Sequence, residues 1–208
     1  MLALGNNYLV QKKYDSALKL YSECMELLDK TDLLRASVHF SMGKLKCLIE
    51  KYDEALHFFC QTLSIREAAF GRNDTRVARV LLCLGMVHFL ANHNNKAQDF
   101  LNDFVRICDG ADKASTRKND LKQLTTHFLL AQIILGDLQY KSNPQEALEM
   151  WNTASDLCEG EKGLDLALGD MVVRRLRLSV SREKTISLDS KEKAYLLRCL
   201  FVSLEPNY

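Results

Sequence analysis

Three glycines set the terms on which this chain folds. Gly5, Gly43 and Gly85 each stand 12 residues before an alanine (Ala17, Ala55, Ala97) and 16 before a large apolar residue (Tyr21, Phe59, Leu101). Where two antiparallel helices pack, a small residue on each at the crossing lets the backbones approach. A bulky residue one turn later fills the space beside them. The spacing predicts helical hairpins in tandem, with glycine and alanine as the matched contact of each. Apolar residues recur at three and four through nearly the whole sequence, no window alternates with period two for long, and only Pro144 and Pro206 occur. The fold class that follows is all-α.

The periodicity places helices at Met1 to about Lys12, Tyr14 to Leu28, Leu34 to Glu50, Tyr52 to Phe70, Thr75 to Asn92 and Asn95 to Cys108. The last of these is expected to stop at Asp109-Gly110, with the glycine as a left-handed cap. The run Asp109 to Asp120 lacks any large apolar residue and reads as a long loop. Beyond it come helices over Leu121 to Tyr140 and Gln145 to Cys158, with Ala131, Ala147 and Trp151 as small, small and bulky residues. The first spacing there is 16 instead of 12, which implies one more turn before the hairpin. A final pair, about Leu164 to Arg182 and Ser190 to Leu204, lacks the motif, and Asp189 or Ser190 followed by Glu192 suggests a capped start. The organisation read from this is 1–108 as three repeats, 109–120 as a polar loop, 121–160 as a divergent fourth repeat and 161–208 as a divergent repeat or capping pair. With no capping segment ahead of Met1, the chain is expected to be part of something longer.

Tyr14-Asp15-Ser16-Ala17-Leu18, Tyr52-Asp53-Glu54-Ala55-Leu56 and Pro144-Gln145-Glu146-Ala147-Leu148 resemble the start of the second helix of a tetratricopeptide repeat (TPR). The family period is about 34 residues, whereas the glycine steps here are 38 and 42. Ile65-Arg66-Glu67-Ala68-Ala69-Phe70-Gly71, then Asn73-Asp74 and Val77-Ala78, resembles the junction between the long-period repeats of kinesin light chains. The resemblance implies a right-handed α-solenoid of stacked antiparallel hairpins, about four repeats plus the C-terminal pair. It also implies a concave surface, lined by the first helix of each pair, that holds a segment of another protein.

Projecting the register onto that surface selects Asn6 and Val10; Ser37, Ser41 and Lys44; Arg79, Cys83 and Met86; and Thr125, Phe128 and Gln132. Lys44 and Arg79 supply positive charge, Asn6, Ser41 and Gln132 offer hydrogen bonds to a peptide backbone, and Met86 with Phe128 accept an apolar anchor. The partner this surface suits is an acidic segment with one hydrophobic residue. Co-chaperone members of the family hold a terminal carboxylate with two asparagines, two lysines and an arginine. Here only Asn6 matches, Arg79 stands for one lysine, and Leu2, Ser41 and Cys83 occupy the other places, so that clamp is incomplete. The asparagine pair of kinesin light chain first helices is likewise replaced, by Leu82 and Cys83.

Net charge is +1, so no global field favours nucleic acid or an anionic surface. The densest basic run, Arg174, Arg175, Arg177 and Arg182, has no aromatic interleaving and reads as a solvated or acid-paired helix surface. The absence of an apolar run of 18 residues or of a leader pattern excludes membrane insertion from the expectation and points to the cytoplasm. Seven scattered cysteines without CxxC read as buried free thiols in a reducing compartment. His39, His57, His88, His93 and His127 are dispersed, and Asp112 and Asp120 lie in the polar run; no catalytic motif or metal spacing occurs. The expectation is a non-enzymatic adaptor or scaffold that takes no cofactor, metal or small-molecule substrate. The alternatives are a structural subunit that docks into a larger complex through its edges and, further off, a helical-repeat RNA binder.

Overall fold

The computed structural model describes residues 1–29, 32–110, 118–160, 166–180 and 190–202. The described residues hold ten helices and no strand. They are α1 (Leu2–Val10), α2 (Tyr14–Leu27), α3 (Leu33–Leu48), α4 (Tyr52–Phe70), α5 (Thr75–Leu90), α6 (Asn94–Gly110), α7 (Lys118–Gln139), α8 (Pro144–Gly160), α9 (Leu166–Val180) and α10 (Ser190–Val202). Two compact units, Met1–Phe100 and Leu101–Tyr208, divide the chain within α6. Gly110 is the last residue of α6 and does not take a left-handed conformation. Residues 118–120, expected in the loop, are helical. Asp112, Arg182 and Asp189 lie outside the described residues.

In the first unit α1 pairs with α2, α3 with α4, and α2 and α4 in turn pack on α3 and α5. The glycines work differently from the matched contact expected of them. A Cβ on Gly5 would lie 2.6 Å from the Tyr21 ring, and one on Gly43 2.7 Å from the Phe59 ring. Each glycine is thus the bare seat of an aromatic ring that is itself wholly buried. The alanines Ala17 and Ala55 are also fully buried. On the Gly5 side the Tyr21 hydroxyl donates to Asn6 Oδ1 at 2.8 Å, satisfying the polar end of a ring that would otherwise be costly to bury.

The turns repeat as closely as the seats do. Lys12, Glu50 and Asn92, each seven residues after a glycine, have φ of 59°, 60° and 61°. In each case the next residue's N–H bonds five residues back, Lys13 to Tyr8 O, Lys51 to Lys46 O and His93 to His88 O. This closes the preceding helix and reverses the chain within three residues. Asp32 and Asp74 begin α3 and α5 by accepting the Leu34 and Arg76 N–H groups at 2.7 and 2.8 Å. Gly71, with φ of +82°, ends α4 in open space, where only a residue without Cβ is unstrained.

The second unit uses the same device from a different residue. Trp151 sits on Gly136 instead of Ala131, its ring atoms occupying the place of a Cβ. Counted from that glycine, the steps to Ala147 and Trp151 are 11 and 15, one shorter than in the other hairpins. The extra turn expected from Ala131 is therefore absent, and the hairpin closes without a left-handed residue. The Trp151 N–H donates to Ile133 O at 3.4 Å, and its ring lies 5.3 Å from that of Tyr140. Asn143 and Glu146 cap α8 reciprocally, ahead of Pro144 in its first turn.

Within this unit Arg175 is 1% exposed and forms two parallel bonds to Asp137, Nε to Oδ1 at 2.6 Å and Nη2 to Oδ2 at 2.7 Å. Its Nη1 meets Glu192 at 3.3 Å, and Glu192 also meets Arg174 at 3.1 Å. These bonds tie α9 and α10 to α7; Arg174 is acid-paired at the surface as the sequence allowed, whereas Arg175 is a buried ion pair.

Two measurements test this packing. Gly43→Ala is expected to cost about 1–3 kcal/mol in chemical denaturation, and Phe59→Leu to cost less in the Gly43→Ala background than alone. Arg175→Met, by stranding Asp137, is expected to cost about 3–5 kcal/mol, and Asp137→Leu added to it to recover most of the loss.

Candidate functional site

Of the eleven residues chosen from sequence, eight belong to the first unit and three to the second. Thr125, Phe128 and Gln132 lie on α7; the first two are half-buried and Gln132 is nearly closed off. The other eight lie on α1, α3 and α5, the first helices of the three N-terminal hairpins. Val10 is 68% exposed. Asn6 is half-buried, with Oδ1 engaged by Tyr21. Ser37 is half-buried, whereas Ser41 and Lys44 retain 6% and 8% exposure. Cys83 and Met86 are wholly buried and present nothing to an incoming chain. The reason is that α5 is enclosed along nearly its full circumference, so that 12 of its 16 residues are buried and its polar-face projection fails.

What remains is a basic cluster. Lys44 from α3, Arg66 from α4 and Arg79 from α5 all act electrostatically on the Cys83 thiol, which burial nevertheless pushes far up. Arg66 belongs to a second helix and was not selected from sequence. It reaches in over the Phe40 ring, 5.0 Å from centroid to guanidinium carbon, and donates to Arg76 O at 3.0 Å. Burial lowers its pKa, and the neighbouring Arg79 and Arg76 act in the same direction. Arg76 itself is committed, stacked 3.3 Å above Phe70 and paired bidentately with Asp74. Partly desolvated cations attract an anion more strongly than fully hydrated ones, since the local dielectric is lower.

A second feature has no counterpart in the sequence reading. A cleft of about 600 Å³ opens between α2 and α4 over α3. Ser22 and Met25 line it from α2, Arg35, His39 and Met42 from α3, and His57, Phe58, Gln61, Ser64 and Ile65 from α4. Arg35 is fixed there by donating to Met25 O at 3.1 Å and Leu28 O at 2.7 Å, the open carbonyls at the end of α2. His39 is 5% exposed, packs edge-on against Phe58, and its Nδ1 has no hydrogen-bond partner. Burial first, then the charges of Arg35 and His57, lower its pKa to about 4. At neutral pH His39 is an uncharged ring.

The described residues contain no cluster of three or more metal-binding side chains and no helix long and apolar enough to cross a membrane. Burial raises the pKa of Cys47 to about 12 and also raises those of Cys60 and Cys158, so these cysteines rest as unreactive thiols. Cys60 is exposed and Cys158 half-buried, against the expectation that the cysteines are buried; Cys24, Cys47, Cys83 and Cys108 are buried.

Comparison with known proteins agrees with this geometry. The tetratricopeptide repeat model matches residues 1–68 and 34–109. Among solved structures, BtubC (BKLC) from P. vanneervenii is similar with a TM-score of 0.70 and 16% identity, over 97% of this chain and 74% of that one. A Podosopora anserina protein described as a kinesin light chain with nearly identical TPR-like repeats is similar with a TM-score of 0.64 and 16% identity, over 97% of this chain and 92% of that one. At these identities the likeness is one of fold. No curated protein matches the chain in sequence.

The pKa of His39 makes a prediction about stability. The unfolded chain binds the proton near pH 6.5 and the folded one only near pH 4, so acidification through that window favours unfolding. The contribution reaches at most about 3 kcal/mol below pH 4. An imidazole titrating near pH 4 by NMR, and a flatter stability profile between these pH values in His39→Leu, are the expected results.

Proposed function

We propose that this chain, which belongs to the tetratricopeptide repeat family, is a non-enzymatic adaptor that binds a segment of another protein on the face made by the first helices of its N-terminal hairpins. The fold it shares is one that generally mediates protein–protein interaction and generally lacks catalysis. The observation that carries the finer reading is that Lys44 on α3, Arg66 on α4 and Arg79 on α5 all act electrostatically on the one Cys83 thiol. Such a cluster suits an acidic segment, and low exposure at Lys44 keeps its charge effective against screening by salt. Ser37 and Ser41 on α3 add hydroxyls for a peptide backbone, and Val10 on α1 an apolar surface for its anchor. A reducing, cytoplasmic setting suits the free cysteines.

A second reading, the structural subunit, draws on the first hairpin. Met1, Leu4, Val10 and Leu27 are 53%, 47%, 68% and 74% exposed, an apolar edge of the kind that docks into a larger assembly.

The test is fluorescence anisotropy with a labelled acidic peptide that carries one tryptophan. Lys44→Glu with Arg79→Glu is expected to weaken capture at least tenfold, about 1.4 kcal/mol, with the helical circular dichroism unchanged. Equal capture by the double variant would reject this face.

A further inference from the structure

We propose that the cleft between α2 and α4 is a second docking site, independent of the first, which takes an acidic amphipathic helix from a partner protein.

The two sites lie on opposite sides of one helix. At 100° per residue, Ser37, Ser41 and Lys44 point about 160° away from Arg35, His39 and Met42 around the axis of α3. A substitution on one side therefore leaves the other side in place.

The cleft has the shape for a helix. Its α4 wall, His57, Phe58, Gln61, Ser64 and Ile65, follows a single stripe over nine residues, a rise of about 12 Å, or two turns. Ser22 and Met25 form the facing wall. A volume of about 600 Å³ is within the range that holds a bulky anchor side chain and its neighbours. The apolar lining is adaptable, because Met25 and Met42 are unbranched thioethers that reshape around an aromatic or aliphatic side chain. Phe58 supplies a fixed ring between His39 and His57, at 5.9 and 5.8 Å from their centroids.

Charge names the partner's sign. Arg35 brings a permanent positive charge to the cleft, His57 stands exposed on its wall, and no carboxylate lines it; His39 contributes an uncharged ring. Arg35 is held by Nη1 alone, to two carbonyls, which leaves its remaining N–H groups directed elsewhere. His57 is exposed, and its Nε2 accepts from Gln61 at 3.1 Å. The buried Nδ1 of His39 without a partner marks a polar atom that the chain alone does not satisfy. A helix with one large apolar residue and a carboxylate three or four residues away places the first against Met25, Met42 and Phe58 and the second near Arg35 and His57.

The probe is a synthetic helical peptide with a leucine–tryptophan stripe and glutamates flanking it, compared with the same peptide carrying lysine for glutamate. The readout is NMR of the methionine methyl groups in the full chain. Saturable shifts at Met25 and Met42 with the glutamate peptide are expected. They should be weakened at least tenfold by His57→Glu with Ser64→Glu, both at exposed positions, and unchanged by Lys44→Glu with Arg79→Glu. That last variant separates this site from the first, so either can fail alone. Equal shifts from the lysine peptide, no shift at Met25 and Met42, or concentration-dependent shifts without peptide, which would place a second copy of the chain in the cleft, overturn the proposal.

Discussion

An aromatic ring lying on bare backbone is the contact from which the rest of this architecture follows. Tyr21 on Gly5, Phe59 on Gly43 and Trp151 on Gly136 bring the two helices of each hairpin so close that a single methyl group on the first would strike the ring. Such a contact fixes three things together. It sets the distance between the helices, it fixes which residue of one faces which of the other, and it buries a large apolar area where dispersion contacts are dense. Because the ring sits in a socket without a Cβ, sliding the helices by one residue would put the ring against a side chain. Register is thus specified by exclusion as much as by attraction, which is what a tandem array needs if each hairpin is to offer the next a regular surface.

Much of this was legible in the primary structure, and the exceptions have physical causes. The spacing of Gly5, Gly43 and Gly85 to their large partners gave the hairpins and, within a few residues, the helix ends. The role assigned to the alanines was too large: they are small and buried, but the ring occupies the glycine's own site. In the fourth hairpin Ala131 and Gly136 are both small residues on the same helix, and spacing could not say which one a tryptophan would choose. Geometry decides it, since an indole lies closer than a residue with a methyl group permits. The left-handed turns carried no sequence mark, as lysine, glutamate and asparagine stand where glycine would have announced them.

The exposure of the proposed binding face was less legible. Projection onto α5 failed at Cys83 and Met86 because that helix is enclosed on nearly all sides, so no stripe of it is free to be a surface. Arg66 was missed because it is long enough to reach a neighbouring helix's territory from α4. The cleft was missed because its walls come from three helices, and no local pattern links Met25, His39 and Phe58. What emerges is a division of labour on α3: one side gathers with Lys44 toward α5, the other floors the cleft with Arg35 and His39. On the proposed reading, two such sides would let the chain hold two partners at once, without either competing for the other's contacts.

The three hairpin turns bear on how this chain has been tuned. Lys12, Glu50 and Asn92 hold a backbone conformation that residues with a Cβ enter at a cost of roughly 1 kcal/mol each. That the chain tolerates the cost three times at equivalent positions indicates a fold with reserve: the sockets between helices overdetermine each bend, and the bends need contribute nothing of their own. Loops of this sort leave their side chains at liberty to vary, so the outer rim of the array is open to new chemistry while its spacing stays constant.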